Sequence, residues 1–249
     1  VTSLNVWQAK YVIGAAIILP VSPFLYLQGR YTRRKIGLLP PASGDTTGVT
    51  GEGTGLVELL VIGESTVAGL GAKTHETALA GQFARRLSTQ IRRPVRWSAI
   101  GKNGVTAKRT ISELIPLVPE KKFDYILIGL GGNDVIKLSS PRKWRRTMIE
   151  LIGILRRSSP DSIIFITNCA AVKQSPVLPE PIRFLLSQLS KMHNANAIEF
   201  TAAMDRVFYY QQPTSVPEGF FADGIHPSES GYSAWSESMM RFFSENFKW

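Results

Sequence analysis

Four short apolar runs constrain this chain more than anything else in it. Residues 56–63, 95–100, 123–130 and 163–168 are rich in leucine and β-branched residues, and a stretch of helical periodicity follows each one. Runs that are apolar almost throughout read as strands buried on both faces, and strand–helix alternation gives right-handed crossovers between parallel neighbours. The expected fold is therefore α/β: a three-layer α/β/α sandwich with a central, mainly parallel sheet of about five strands. Helices are expected near residues 77–90, 107–117, 141–157, 181–194 and 228–246, and residues 197–200 are the weaker fifth strand.

Such sheets collect ligands at the carboxyl ends of their strands, which directs attention to three places. Ser65 follows the first strand in Gly63-Glu64-Ser65-Thr66, Gly104 closes Gly101-Lys102-Asn103-Gly104 after the second, and Asn133 lies in Gly131-Gly132-Asn133-Asp134 after the third. A serine at a strand end can present its hydroxyl at the sheet edge with its backbone N–H aimed at a developing anion, although it also serves as a plain turn or cap residue. Glycines let the backbone approach a ligand, and an asparagine amide donates a hydrogen bond without bringing a charge. Far along the chain, Ala222-Asp223-Gly224-Ile225-His226-Pro227-Ser228 sets an acid and a histidine three residues apart between turn formers. A carboxylate so placed can fix the imidazole tautomer and leave the other ring nitrogen to take a proton from a hydroxyl.

Two rival motifs fail locally. Gly63-Glu64-Ser65-Thr66-Val67 has valine where the nucleophile elbow of α/β-hydrolases needs glycine. Gly71-Ala72-Lys73-Thr74 has alanine where a phosphate-binding loop needs its second glycine, and Val67 stands in place of the first. A nucleotide-binding α/β module is thus the weaker alternative, beside a non-catalytic membrane-tethered scaffold that keeps the fold.

Taken together, these residues resemble the SGNH (GDSL-type) hydrolases, a family of esterases and lipases, over residues 56–249. The resemblance rests on Gly63-Glu64-Ser65, Gly104, Gly131-Gly132-Asn133-Asp134 and Asp223-Gly224-Ile225-His226, in that order, and the surrounding text is similar to a bacterial esterase or lysophospholipase-like subgroup. One departure is Glu64, where the family usually has aspartate; the carboxylate is kept on a longer arm. The resemblance implies a carboxylic ester hydrolase, with lysophospholipase or thioesterase activity as possible variants. Ser65 would be the nucleophile, His226 the base, Asp223 its support, and Ser65, Gly104 and Asn133 the oxyanion donors. No cofactor or metal is implied.

The rest of the chain bears on partners. Of a formal net charge of +10, half sits in residues 1–35, where Lys10, Arg30, Arg33, Arg34 and Lys35 meet no acid. The other basic residues are scattered and lack interleaved stacking aromatics, so nucleic acid is not an expected partner. Residues 11–27 carry no charge and are flanked by Trp7, Tyr11, Tyr26 and Tyr31, the pattern of a marginal membrane segment that Pro20 and Pro23 should kink or end. Residues 1–35 are read as a membrane anchor, and the positive-inside rule puts the domain on the cytoplasmic side. A signal sequence, with a periplasmic or secreted domain, is the alternative; it fits less well because most of the positive charge follows the apolar run. Residues 36–55, rich in Gly, Thr, Ser and Pro, are expected to be a flexible linker. Cys169 is the single cysteine, so neither an intrachain disulfide nor a thiolate cage can form, and it is read with His75 and His193 as structural or surface.

Overall fold

A computed structural model describes residues 3–37, 39–169, 172–211 and 215–246. Its centre is a six-stranded sheet built from β1 (Thr47–Thr50), β2 (Val57–Gly63), β3 (Val95–Gly101), β4 (Tyr125–Gly129), β5 (Ile163–Ile166) and β6 (Val207–Tyr209), in the order β1-β3-β2-β4-β5-β6. All neighbours are parallel except β1, which runs antiparallel along the edge of β3.

The period of two along each strand divides the core. Leu60, Ile62, Ile126, Ile128, Ile164 and Ile166 point to one face, under α4 (Ala107–Glu113), α6 (Pro141–Ser158) and α7 (Ile182–Thr201). Leu59, Val61, Leu127 and Phe165 point to the other, under α3 (Leu79–Ile91) and α8 (Glu229–Asn246). Helices cover both faces, as a mainly parallel sheet requires. The expected three-layer sandwich is what the chain forms.

Two expectations need correction. Residues 47–50 lie within the stretch read as a flexible linker, yet they form β1 and pair with Val95 through Ser98 of β3. The polar composition is accommodated because an edge strand borrows its hydrogen bonds from its neighbour and buries little of its own. Residues 197–200 are not a strand. They are the last turn of the 20-residue α7, where Leu189, His193, Ala197 and Phe200 recur at helical spacing and are buried, and the last strand comes seven residues later at Val207. The N-terminal α-helix, by contrast, is interrupted at Pro20 and Pro23 as expected. α1 (Ser3–Ile18) passes through one 3₁₀ turn at Leu19–Val21 into α2 (Ser22–Ile36), with each proline at the start of its segment, where its missing N–H costs nothing.

Candidate active site

β2 ends at Gly63 because nothing larger fits: a Cβ there would lie 2.0 Å from the Gly129 carbonyl oxygen on β4. The chain then turns tightly. Glu64 N–H donates to the Gly129 carbonyl at 2.9 Å, Val67 and Ala68 donate back to the Glu64 carbonyl, and Leu70 donates to the Ser65 carbonyl at 3.1 Å. Ser65 therefore opens a hydrogen-bonded turn at the carboxyl edge of the sheet, largely buried. Its own N–H has no acceptor among the described residues.

Asp223 organises the turn that faces this loop. Its Oδ1 accepts the N–H groups of Ile225 at 2.9 Å and His226 at 2.7 Å, and its Oδ2 lies 2.8 Å from His226 Nδ1. Burial works against the charge, but the hydrogen bonds from the His226 ring and from the two N–H groups outweigh it and hold the carboxyl at about 2. Gly224, at φ +86°, is required in the middle, since any Cβ would also strike the Val177 side chain. The turn is closed by Ala222 N–H on the His226 carbonyl at 2.8 Å, and Ser228 caps α8 by accepting the Gly231 N–H at 3.1 Å. It packs on the serine loop, because a Cβ on Gly71 would lie 2.1 Å from the Pro227 carbonyl. Ser65 Oγ and His226 Nε2 are not hydrogen-bonded to each other among the described residues; such contacts are often long in unliganded enzymes and tighten on binding.

Asn133 and Gly104 complete the edge. Gly131, at φ +130° and with no room for a Cβ against Cys169 Sγ, turns the chain out of β4 into the short helix α5 (Gly132–Ile136). There the Glu64 carboxylate accepts Gly132 N–H on Oε1, and both the N–H and the side-chain amide of Asn133 on Oε2, all at 2.8 Å. One amide hydrogen of Asn133 remains for a ligand. Gly104, at φ +78°, holds its carbonyl against Lys137 Nζ at 2.8 Å and Arg109 Nη1 at 3.3 Å, while its N–H has no partner among the described residues.

A family model described as GDSL-like lipase/acylhydrolase matches residues 61–234. The chain belongs to that family. A comparison with curated proteins finds no match. Among solved structures, the lipase Lip_vut3 from a goat rumen metagenome shares 16% identity at a TM-score of 0.59, over 74% of this chain and 96% of its own. A structure of TesA shares 18% at 0.59, over 76% and 99%. A family 3 carbohydrate esterase from Clostridium thermocellum shares 16% at 0.55, over 77% and 97%. At these identities the likeness is one of fold. The GDSL-like family makes this chain a hydrolase of carboxylic esters in the general sense.

Within that family fold, the four sequence-chosen stretches reach one edge of the sheet, as their places after β2, β3, β4 and before α8 require. Two residues were not assigned a role by sequence reasoning. Glu64 was noted only as a departure, but it is the anchor of Asn133. Asp134 stands in the sequence only as the last member of Gly131-Gly132-Asn133-Asp134, but its buried carboxylate accepts Ala107 N–H at 2.8 Å and the Ser139 hydroxyl at 2.9 Å, tying α5 to the helix that follows Gly104. The signal available was the acid beside each candidate donor or nucleophile, in Glu64-Ser65 and Asn133-Asp134. Among the described residues no group of three or more His, Cys, Asp or Glu is arranged to hold a metal ion. His193 and Cys169 are buried in the body of the domain, where burial lowers the imidazole to about 4 and raises the thiol.

Proposed function

We propose that this protein is a serine esterase that cleaves lipid-derived acyl esters at a membrane surface through an acyl-enzyme on Ser65. The observation that carries the chemistry is the 2.8 Å pairing of His226 Nδ1 with Asp223, in a turn packed against the Ser65 loop. It leaves Nε2 as the free nitrogen of an oriented imidazole.

Ser65 Oγ attacks the ester carbonyl carbon while its proton passes to His226 Nε2, and Asp223 stabilises the imidazolium. The carbonyl oxygen, now an oxyanion, is met by the N–H groups of Ser65 and Gly104 and the remaining amide hydrogen of Asn133. Collapse breaks the bond to the alcohol, which leaves with the proton from His226. Water then attacks the acyl carbon, giving its proton to His226, and the second collapse releases the acid and restores the Ser65 hydroxyl.

A lipid ester is favoured over a sugar ester, although solved structures of similar fold are named for lipase and for carbohydrate esterase. The support is that, among the described residues, the segment Ser3–Ile36 is long and apolar enough to cross a membrane, with its basic cluster at one end. A cavity of about 120 Å³ beside the site sets Phe220, Phe221, Ile225 and Trp235, apolar company for an acyl chain, beside the polar Glu64 and Asn168. Nearby, Val177 packs on Gly224, and Leu178 on the small cluster of Val135, Val172 and Leu189.

A fluorophosphonate probe should label the parent and leave Ser65→Ala unlabelled; equal labelling refutes the nucleophile. Acyl-chain profiling should favour long chains, and a preference for acetyl esters refutes the lipid substrate. A Mg²⁺-dependent thermal shift with ATP, together with no esterase turnover, would move the chain to the nucleotide-binding alternative.

A further inference from the structure

The N-terminal helix turns one stripe toward the domain and is held to it at both ends. Leu4, Trp7, Tyr11, Ile18, Leu25 and Thr32 recur at steps of three, four and seven, and each is partly or fully covered. Residues between them face away: Val6, Val12, Ile17, Phe24, Leu27 and Tyr31 are 41–72% exposed. Polar contacts fix the stripe at both ends. Arg142 donates to Asn5 Oδ1 at 2.6 Å and to Gln8 Oε1 at 3.2 Å, Tyr11 Oη donates to the Leu138 carbonyl at 2.7 Å, and Gln28 Nε2 donates to the Glu180 carbonyl at 2.8 Å.

The holds at Tyr11 and Gln28 bracket the apolar stretch, and both reach the same domain. A crossing needs about 20 apolar residues free to face lipid on every side. Here only residues 12–27, sixteen positions, lie between the Tyr11 and Gln28 holds, and the domain surface alongside carries Arg142, Glu180 and the Arg145–Glu199 ion pair. Crossing would either drag those charges into hydrocarbon or peel the stripe off.

We infer that Ser3–Ile36 docks in the plane of an anionic lipid surface, its domain side fixed to α6 and α7, and does not cross the bilayer. The inference deepens the membrane contact proposed above and rests on it. The lipid sign comes from Arg30, Arg33, Arg34 and Lys35, all exposed at the end of α2, beside the apolar and aromatic face that would enter the headgroup boundary. The arrangement also brings the surface close to the reaction. Five residues lead from Glu180, which holds Gln28, to Ser175, whose hydroxyl donates to the Gly224 carbonyl at 2.7 Å, so chain reach alone limits the separation to about 20 Å.

The test uses the full chain expressed in bacterial membranes, with Ala9→Cys and Arg34→Cys made singly at exposed positions flanking the apolar stretch. Buried Cys169 stays silent toward a membrane-impermeant maleimide. In right-side-out and inverted vesicles the two positions should share one pattern, both labelled in one preparation and both protected in the other. Opposite patterns mean a crossing and overturn the inference. Recovery of the parent in the soluble fraction overturns the membrane reading with it, while turnover of a soluble ester by that same material keeps the esterase reading standing. Flotation of purified protein with phosphatidylglycerol vesicles should exceed that with phosphatidylcholine at least tenfold, and Arg33→Glu with Arg34→Glu should erase the difference; equal flotation overturns the anionic surface.

Discussion

Glu64 grips Asn133 twice, its Oε2 accepting both the backbone N–H and the side-chain amide at 2.8 Å, while Oε1 takes the N–H of Gly132. The residue before the proposed nucleophile thus orients the proposed oxyanion donor. In Glu64→Gln the amide oxygen replaces only one carboxylate oxygen, and the new NH₂ confronts an N–H donor of Gly132 or of Asn133, which loosens the support of the Asn133 turn. Losing a donor of this kind costs about 10²–10³ in kcat. Glu64→Gln should approach the lower end of that range with KM little changed, and Glu64→Asp, one methylene short, should fall between it and the parent. Steady-state kinetics on a chromogenic ester decide the matter, and an unaltered kcat in Glu64→Gln removes Glu64 from the mechanism.

The same carboxyl couples pH to stability and activity with opposite signs. Burial lifts it from 4.5 to about 7, the N–H donors of Asn133 and Gly132 pulling back and the Asp134 charge pushing further up. The folded protein therefore binds this proton more tightly than the unfolded chain, so the stability it contributes is fully present below pH 4.5 and is lost as pH rises through about 7. Asp134, raised chiefly by burial, adds to the same trend. Catalysis needs the deprotonated form, the only one with acceptors for all three N–H groups. Between pH 8 and 6, Tm should rise while kcat falls, and in Glu64→Gln the rise in Tm should shrink. A Tm that tracks kcat across this window contradicts the assignment.

How much of this was legible in the sequence depends on which residues one asks about. The layers were legible because buried parallel strands admit little but apolar residues, and Val57, Leu59, Leu60, Val61 and Ile62 announce that. The site stretches were legible because topology alone carries strand ends to one edge. β1 was not: Thr47–Thr50 has an exposed face and draws its register from β3, so nothing in its own composition marks it. Residues 197–200 misled because a β-branched, aromatic segment reads alike as strand or as the buried face of a helix, and only length decides. The hold of Glu64 on Asn133 joins residues 69 apart, a pairing that periodicity cannot reveal.

Asp223 has two separable tasks. It closes its own turn by accepting the N–H groups of Ile225 and His226, and it holds the imidazole. Asp223→Asn can keep the first through its Oδ1 but sets an NH₂ against His226 Nδ1, which forces the unproductive tautomer. Asp223→Ala loses both. The asparagine variant should keep a Tm close to the parent's and lose kcat severely, and the alanine variant should lose both, with an unfolding cost of about 1.5–3 kcal/mol for removing a charged acceptor. Should Asp223→Asn retain most of its kcat, His226 works as a dyad with Ser65, and thermal melts alongside initial rates separate these outcomes.

β1 makes a prediction that distinguishes a strand from a tether. A Cβ on Gly48 would lie 2.5 Å from Trp97 Cζ2 and 2.7 Å from Cε2, and the indole is itself nearly buried, so it has little room to retreat. Gly48→Ala should therefore overpack the edge and cost about 1–3 kcal/mol. At roughly 2–4 °C per kcal/mol for a chain of this size, Tm should drop by several degrees. Its neighbour Val49 points outward at 58% exposure, and Val49→Ala should stay within about 0.5 kcal/mol of the parent. Esterase activity per folded molecule should survive in both, because β1 contributes no residue to the Ser65 edge. Equal melts for the two variants would mean that residues 47–50 do not pack on Trp97, as the composition of the stretch first suggests.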